Sequence, residues 1–274
     1  MAPVKKKYKG IFKVGECEKV LDDFTDDYFD LIVTSPPYAD ARKNTYGGVH
    51  PDKYVEWFRP ISKKLYKKLK PTGSFVLNIK ERVVKGERHT YVLDLIKMMK
   101  EEGWYWIDDY IWRKTKSLPG KWNNRFRDGW EHCLHFTKRK KFNMYQEAVK
   151  VAAKENTKKR ALSLGKNDYG MVESASGSGL KRDVSKCVGR DYVYPDNVIT
   201  MSPIPKNVGH PAAFPIGLPT WFIKLFSKEG DWILDPFAGS GTTGIAAKKL
   251  KRNFVMIDKE DEYIELAKKR IKGD

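Results

Sequence analysis

Short β-branched runs alternate with stretches whose apolar residues recur every three or four positions, and this alternation covers most of the chain. It predicts strands at 10–14, 30–34, 74–79 and 104–112, and again at 231–235 and 253–258. Helical spacing predicts helices at 16–21, over Tyr54, Trp57, Phe58, Ile61, Leu65 and Leu69 with a bend at Pro60, and over Val92, Leu95, Ile96 and Met99. Pro71-Thr72-Gly73 reads as the stop of the second helix. Further helices are expected at 219–227, 242–250 and 261–271. Strand and helix taking turns marks an α/β fold, with helices layered on a sheet.

The strand at 30–34 runs into Thr34-Ser35-Pro36-Pro37-Tyr38. Two prolines cannot continue a ladder, so the chain leaves the strand end as a stiff, extended turn. The carbonyls of Ser35, Pro36 and Pro37 are then expected to lack donors, where open α/β sheets bind ligands. With the Ser35 hydroxyl and the Tyr38 ring they suit a planar heterocycle carrying an exocyclic NH2. A plain turn with a packed tyrosine is the weaker alternative for the pentapeptide. The polar loop 39–52, with Gly47-Gly48, reads as a mobile flap beside it.

From about 114 to 196 the alternation breaks down. Lys116, Lys121, Arg125 and Arg127 are interleaved with Trp122, Phe126 and Trp130, and Lys138-Arg139-Lys140-Lys141 follows. The net charge is +18, and residues 138–190 hold 14 Lys/Arg against 5 Asp/Glu, so half the excess lies in one segment. That concentration favours a polyanionic partner, with a solvated surface excursion as the plainer alternative. Arg42, Lys43, Lys181 and Arg182 join the candidate contacts to such a partner. Three cysteines without paired spacing read as reduced thiols, and no metal is expected. The basic N-terminus lacks an apolar stretch, and no run approaches membrane-spanning length, so a soluble cytoplasmic protein is expected.

Strand, Asp235-Pro236-Phe237-Ala238-Gly239-Ser240-Gly241-Thr242-Thr243-Gly244, then helix, with Asp258 ending the next strand, is the layout of a nucleotide-type cofactor site. Gly239 and Gly241 permit close backbone approach, the helix start near Thr242 offers N–H groups, and Asp258 can accept from ribose hydroxyls. The glycines alone also fit NAD. Asp235 helps to choose, because it would repel a pyrophosphate and suits a ligand with an ammonium and a carboxylate, as in S-adenosyl-L-methionine.

The Thr34–Tyr38 and Asp235–Thr243 motifs resemble the catalytic and cofactor motifs of DNA amino-methyltransferases. Their order is similar to that of the beta class, and His210-Pro211-Ala212-Ala213-Phe214-Pro215 resembles that class's further cofactor motif. Glu16 stands where the family normally has Asp. The resemblance implies a Rossmann-like methyltransferase fold with circularly permuted motif order, a mostly parallel twisted sheet and a basic target-recognition insert. It divides the chain into a catalytic half (1–137), a target-recognition region (138–198) and a cofactor-binding half (199–274).

It further implies catalytic Ser35, Pro36, Pro37 and Tyr38. The implied cofactor contacts are Glu16, Thr34, His210, Phe214, Pro215, Asp235, Phe237, Gly239, Ser240, Gly241, Thr242, Thr243 and Asp258. The implied partner is double-stranded DNA with a flipped base, and the implied setting is restriction-modification with a cognate restriction endonuclease. In the family, Ser before Pro-Pro-Tyr usually accompanies cytosine N4, whereas Asp or Asn usually accompanies adenine N6, so Ser35 favours cytosine N4. An adenine-specific enzyme, an RNA or protein-amide acceptor, an NAD-linked oxidoreductase and a silent DNA binder are the alternatives.

Overall fold

The computed structural model describes residues 8–39, 48–116, 122–155, 170–173, 179–182, 190–204 and 214–273, with 170–173 and 179–182 described as backbone alone. The chain divides into two compact units, Met1–Tyr145 with Asn197–Asp274, and Gln146–Asp196. The expected target-recognition span 138–198 extends beyond the second unit at both ends.

In the larger unit β1 (Gly10–Val14) leads through a short helix α1 (Cys17–Val20) to β2 (Phe29–Thr34). Then come α2 (Pro51–Lys68), β3 (Leu69–Ile79), the small hairpin β4 (Val83–Val84) and β5 (Glu87–Arg88), and α3 (Tyr91–Glu101). β6 (Tyr105–Lys114) and β7 (Trp130–Thr137) follow. The second unit holds two two-stranded ribbons, with β8 (Val151–Ala152), β9 (Gly170–Glu173), β10 (Gly179–Arg182) and β11 (Tyr192–Val193). The larger unit resumes with β12 (Val198–Met201), α4 (Gly217–Phe226), β13 (Trp232–Asp235), α5 (Thr242–Lys249), β14 (Asn253–Asp258) and α6 (Asp261–Gly273).

Eight strands form one sheet in the order β1-β14-β13-β2-β3-β7-β6-β12. All neighbours are parallel except β7, which is antiparallel to both β3 and β6. From β13 the chain crosses through α5 to β14, and from β2 it crosses through α2 to β3, in opposite directions along the sheet. The strand order therefore reverses between β2 and β13, which is where open α/β sheets leave a ligand crevice. Ile32, Leu77, Leu234 and Val255 share a core with Tyr54, Phe58, Leu65, Val92 and Met99 of α2 and α3. β7 is buried along almost its whole length, as a strand inside the sheet must be.

Two expectations change. Pro71-Thr72-Gly73 does not stop a helix, because α2 ends at Lys68 and β3 begins at Leu69, which pairs with Phe29 before the register jumps to Leu31 opposite Ser74. The residues between them are an irregularity inside a strand. Gly73 is required there, since a Cβ would lie 2.8 Å from the Asp30 carbonyl. The expected flap is shorter than 39–52, because Pro51 opens α2 behind an N-cap at His50; residues 40–47 lie outside the described residues. α2 itself runs unbroken through Pro60.

The start of α5 lies hard against α6. Gly241 holds φ at +77°, and a Cβ there would come within 2.6 Å of the Ala267 Cβ. Left-handed backbone and overpacking act together, so Gly241→Ala should lower stability by about 2 kcal/mol or more, read from urea denaturation midpoints. An unchanged midpoint would show that α5 and α6 have slack.

Candidate active site at the reversal point of the sheet

Parallel pairing brings the C-terminal ends of β14, β13, β2 and β3 to one edge, and with them Asp258, Asp235, Thr34 and Ile79. Across the reversal point the Thr34 hydroxyl donates to Asp235 Oδ1 at 2.6 Å, joining residues 201 positions apart. The Phe237 N–H donates to the same oxygen at 3.1 Å, and the Thr243 hydroxyl donates to Oδ2 at 2.6 Å. Asp235 is thus enclosed under the glycine loop with three donors, rather than presented openly to a ligand. Burial raises its carboxyl to about 6, although all three hydrogen bonds pull the other way.

Asp258 braces the loop from the other side. Its Oδ2 accepts from the Gly239 N–H at 2.8 Å and its Oδ1 from the Glu260 N–H at 3.1 Å. Burial holds this carboxyl above its usual range despite those bonds. The Gly15 N–H donates to the Asp258 carbonyl at 2.9 Å, so Glu16, exposed at the start of α1, sits at the same edge. The Ser240 carbonyl accepts from Arg270 at 2.5 Å. Thr242 is buried, and its Oγ1 has no partner among the described residues, at the head of α5 where N–H groups are open. Phe214 and Pro215 stand at the entry to α4, a separate element, and His210 lies outside the described residues.

In the turn itself Pro36 is buried, and the Pro37 carbonyl accepts from the Tyr54 hydroxyl at 2.9 Å. The expectation that the Pro37 carbonyl lacks a donor is therefore corrected: α2 supplies one. Tyr38 is pinned by its oxygen. That hydroxyl lies 2.7 Å from Glu131 Oε2, 3.1 Å from Asn78 Oδ1, and accepts from Ser35 Oγ at 3.3 Å. Glu131, 6% exposed, pairs with Lys114 at 2.5 Å, and the Asn78 amide donates to the His132 carbonyl. Burial, with Glu131 beside it, holds the Tyr38 hydroxyl well above its usual range, so it stays protonated. Asn78, Lys114 and Glu131, which hold the Tyr38 hydroxyl, are candidate site residues that motif reading did not single out. The available signal was a glutamate inside a strand with both faces buried, which needs a partner.

His132 bridges Asp109 and Glu81 at 2.8 and 2.7 Å. Burial opposes its charge, but the two carboxylates win and raise it to about 9. Burial lowers His135, whose Nε2 lies 3.0 Å from the Ser74 hydroxyl, to about 3, so it is neutral. No cluster among the described residues could hold a metal ion.

The candidate DNA contacts fall into separate places. Lys116, Arg125 and Arg127 follow β6 and share the edge with Ser35. Lys138-Arg139-Lys140-Lys141 follow the other end of β7, some 23 Å of strand away, because β7 runs antiparallel to β3. Lys138 is held there by Asp27 at 2.7 Å and by the Leu69 carbonyl at 2.8 Å. The structure does not bring this cluster to the turn. Arg42, Lys43 and Lys121, and the side chains of Lys181 and Arg182, lie outside the described residues.

The profile described as DNA methylase matches residues 29–269. Type II methyltransferase M.PvuII of Proteus hauseri is 29% identical over 93% of this chain and 81% of its own. Type II methyltransferase M.SmaI of Serratia marcescens is 26% identical over 94% and 89%. The solved PvuII DNA methyltransferase, titled cytosine-N4-specific, has a TM-score of 0.72 at 26% identity, covering 96% of this chain and 86% of that one. The M1.HpyAVI complex with SAM shares the fold, with a TM-score of 0.60 at 24% identity over 96% and 98%.

Because the Asp235 carboxyl stands near 6 when folded and near 3.8 otherwise, the unfolded chain holds fewer protons between those values, and stability falls as pH rises through them. Asp235→Asn should therefore raise the stability of the ligand-free protein above pH 6, by up to about 3 kcal/mol, with the gain fading below pH 4. Melting curves across pH 3.5–8 decide it; a constant difference at every pH would show that the carboxylate is not strained by burial. Glu131→Ala should cost roughly 3 kcal/mol by stranding Lys114, and adding Lys114→Met should recover much of it. Strictly additive losses in denaturant titrations would count against a coupled pair.

Proposed function

The chain belongs to the DNA methylase family, and we propose that it transfers the methyl group of S-adenosyl-L-methionine to the exocyclic N4 of a cytosine flipped from duplex DNA. The observation that carries the reading is the Thr34–Asp235 hydrogen bond, which sets the Ser35–Tyr38 turn beside the glycine loop. The N4 choice draws support from Ser35 and from the relatives named above.

The glycine loop fits the cofactor. It offers a helix start, a buried Thr242 hydroxyl with no partner among the described residues and two glycines with positive φ, while Asp235 and Asp258 hold its shape from below and beside. Gly239 to Thr243, with Asp258 and Glu16, would hold it. Bound there, the cofactor would supply an electrophilic methyl on a sulfonium, and loss of that methyl would leave the neutral thioether S-adenosylhomocysteine as product. Ser35 Oγ and the Pro36 carbonyl accept from the target NH2 and draw its lone pair out of conjugation with the ring. Tyr38, fixed by Asn78 and Glu131, presents its ring for stacking on the extruded base. The amino proton leaves to water after the new N–C bond begins to form. Positioning supplies most of the rate, and no covalent enzyme adduct is needed.

Lys116, Arg125 and Arg127 at the site edge serve as DNA contacts of the larger unit, and target recognition is assigned separately to the second unit, Gln146–Asp196. No helix among the described residues is long and apolar enough to cross a membrane, and a cytoplasmic location is part of the proposal. So is pairing with a cognate restriction endonuclease, since the relatives are named type II methyltransferases.

Incubation with unmethylated duplex DNA and S-adenosyl-L-methionine, then nucleoside mass spectrometry, should yield N4-methylcytidine. N6-methyladenosine would overturn the base assignment, and no methylated nucleoside from varied duplexes would overturn the function. Ser35→Ala should lower kcat about 10²-fold with cofactor affinity unchanged, and equal loss of both would remove its assigned role.

A further inference from the structure

The loop between β6 and β7 carries the most exposed large apolar side chain of the described residues. Phe126 is 94% exposed, between Arg125 and Arg127. An apolar ring in water is ordinary on a floppy surface, but residues 122–129 of this loop are braced on several sides. The Lys114 N–H donates to the Gly129 carbonyl at 2.7 Å, closing the loop at its base. The Asn124 amide donates to the Gly86 carbonyl at 3.2 Å, tying it to the β4–β5 hairpin. Asp128 is gripped by Lys80 at 2.8 Å and Arg88 at 2.7 Å. Arg125 lies over the Trp122 ring at 4.3 Å.

The base of this loop is also the wall of the site. Lys114 and Glu131, at its two ends, form the ion pair that pins Tyr38. The ring is therefore held out on a stiff, positively charged support, on the same sheet edge as the turn that receives a base. Cations flanking an apolar ring suit a nucleic-acid duplex, where phosphates meet the arginines and the stacked bases meet the ring.

We propose that Phe126 enters the duplex and fills the gap left by the flipped cytosine. The inference rests on the base-flipping reading above. Removing a base from the stack leaves its neighbours and its partner base without contacts, and a ring inserted there replaces part of that stacking. Tyr38 would hold the departed base while Phe126 occupies its former place, with Glu131 and Lys114 fixing both supports.

The test uses the full-length protein and a duplex carrying a cytosine that the wild type is shown to methylate. Phe126→Ala and Phe126→Leu are compared with wild type on the paired duplex and on one whose target cytosine faces an abasic position. A wedge predicts a loss of at least roughly tenfold in kcat for Phe126→Ala on the paired duplex, partial recovery with leucine, and near wild-type rates opposite the abasic position. In parallel, 2-aminopurine at the target position should brighten on binding wild type and stay dim with Phe126→Ala. Full activity of Phe126→Ala on the paired duplex, or equal loss on both duplexes, overturns the wedge while leaving the methyltransferase reading intact. A wild type that methylates no DNA, so that no such duplex can be found, overturns both.

Discussion

One buried carboxylate holds the two halves of the site together. Asp235 ends β13, Thr34 ends β2, and Thr243 lies in the first turn of α5, yet their three side chains form a single hydrogen-bonded group. A carboxylate so enclosed is costly unless its lone pairs are filled, and three donors fill them here. Its upward shift shows that the cost is not fully offset. What the arrangement secures is position: the turn after β2 and the loop after β13 cannot drift apart without exposing or orphaning the carboxylate. Because the contact is made between neighbouring strands, the order of the two motifs along the chain is immaterial to the site. Either half can come first provided β2 lies beside β13.

A second polar group works by the same logic one strand further on. The Tyr38 ring could rotate about a turn made stiff only by prolines, but its hydroxyl reaches Asn78 on β3 and Glu131 on β7. Those two strands are antiparallel neighbours, so the pin is as rigid as the sheet. Lys114 on β6 neutralises Glu131 and extends the pin to a third strand. The antiparallel β7 is thus more than a topological irregularity, since only a strand entering from this edge places its first residues against the turn.

The elements were legible in the sequence because periodicity is local. The Asn253–Asp258 strand and the start of α6 at Asp261 fall at the bounds expected from the sequence, 253–258 and 261. The early part of β3 was not legible, since Pro71 and Gly73 read as a helix stop and only pairing of Leu69 with Phe29 makes that stretch a strand. In the site, the turn and the glycine loop announced themselves through prolines and glycines. Asp235 was legible as important but not in its role, because an exposed carboxylate and one filled by Thr34 and Thr243 have the same local sequence. Glu131 and Lys114 gave weaker signals, since their meaning depends on which strands become neighbours.

Charge shows the same limit on a larger scale. The basic segment 138–190 looks continuous in the sequence, but folding separates it. Lys138 to Lys141 remain with the larger unit at the edge away from the turn, and Lys138 spends its charge on Asp27. Residues 146–196 keep ten Lys/Arg against seven Asp/Glu, a much milder surplus. Charges more than two Debye lengths from the turn, each about 8–10 Å at ordinary salt, cannot register a base in the pocket. They can still raise the rate at which a polyanion meets the protein. Register must come from groups at the site edge, and there the cations are fewer, braced by Asp128 and Glu131, and interleaved with aromatic rings. A surface that attracts over long range and grips at short range needs both populations, and the fold keeps them apart.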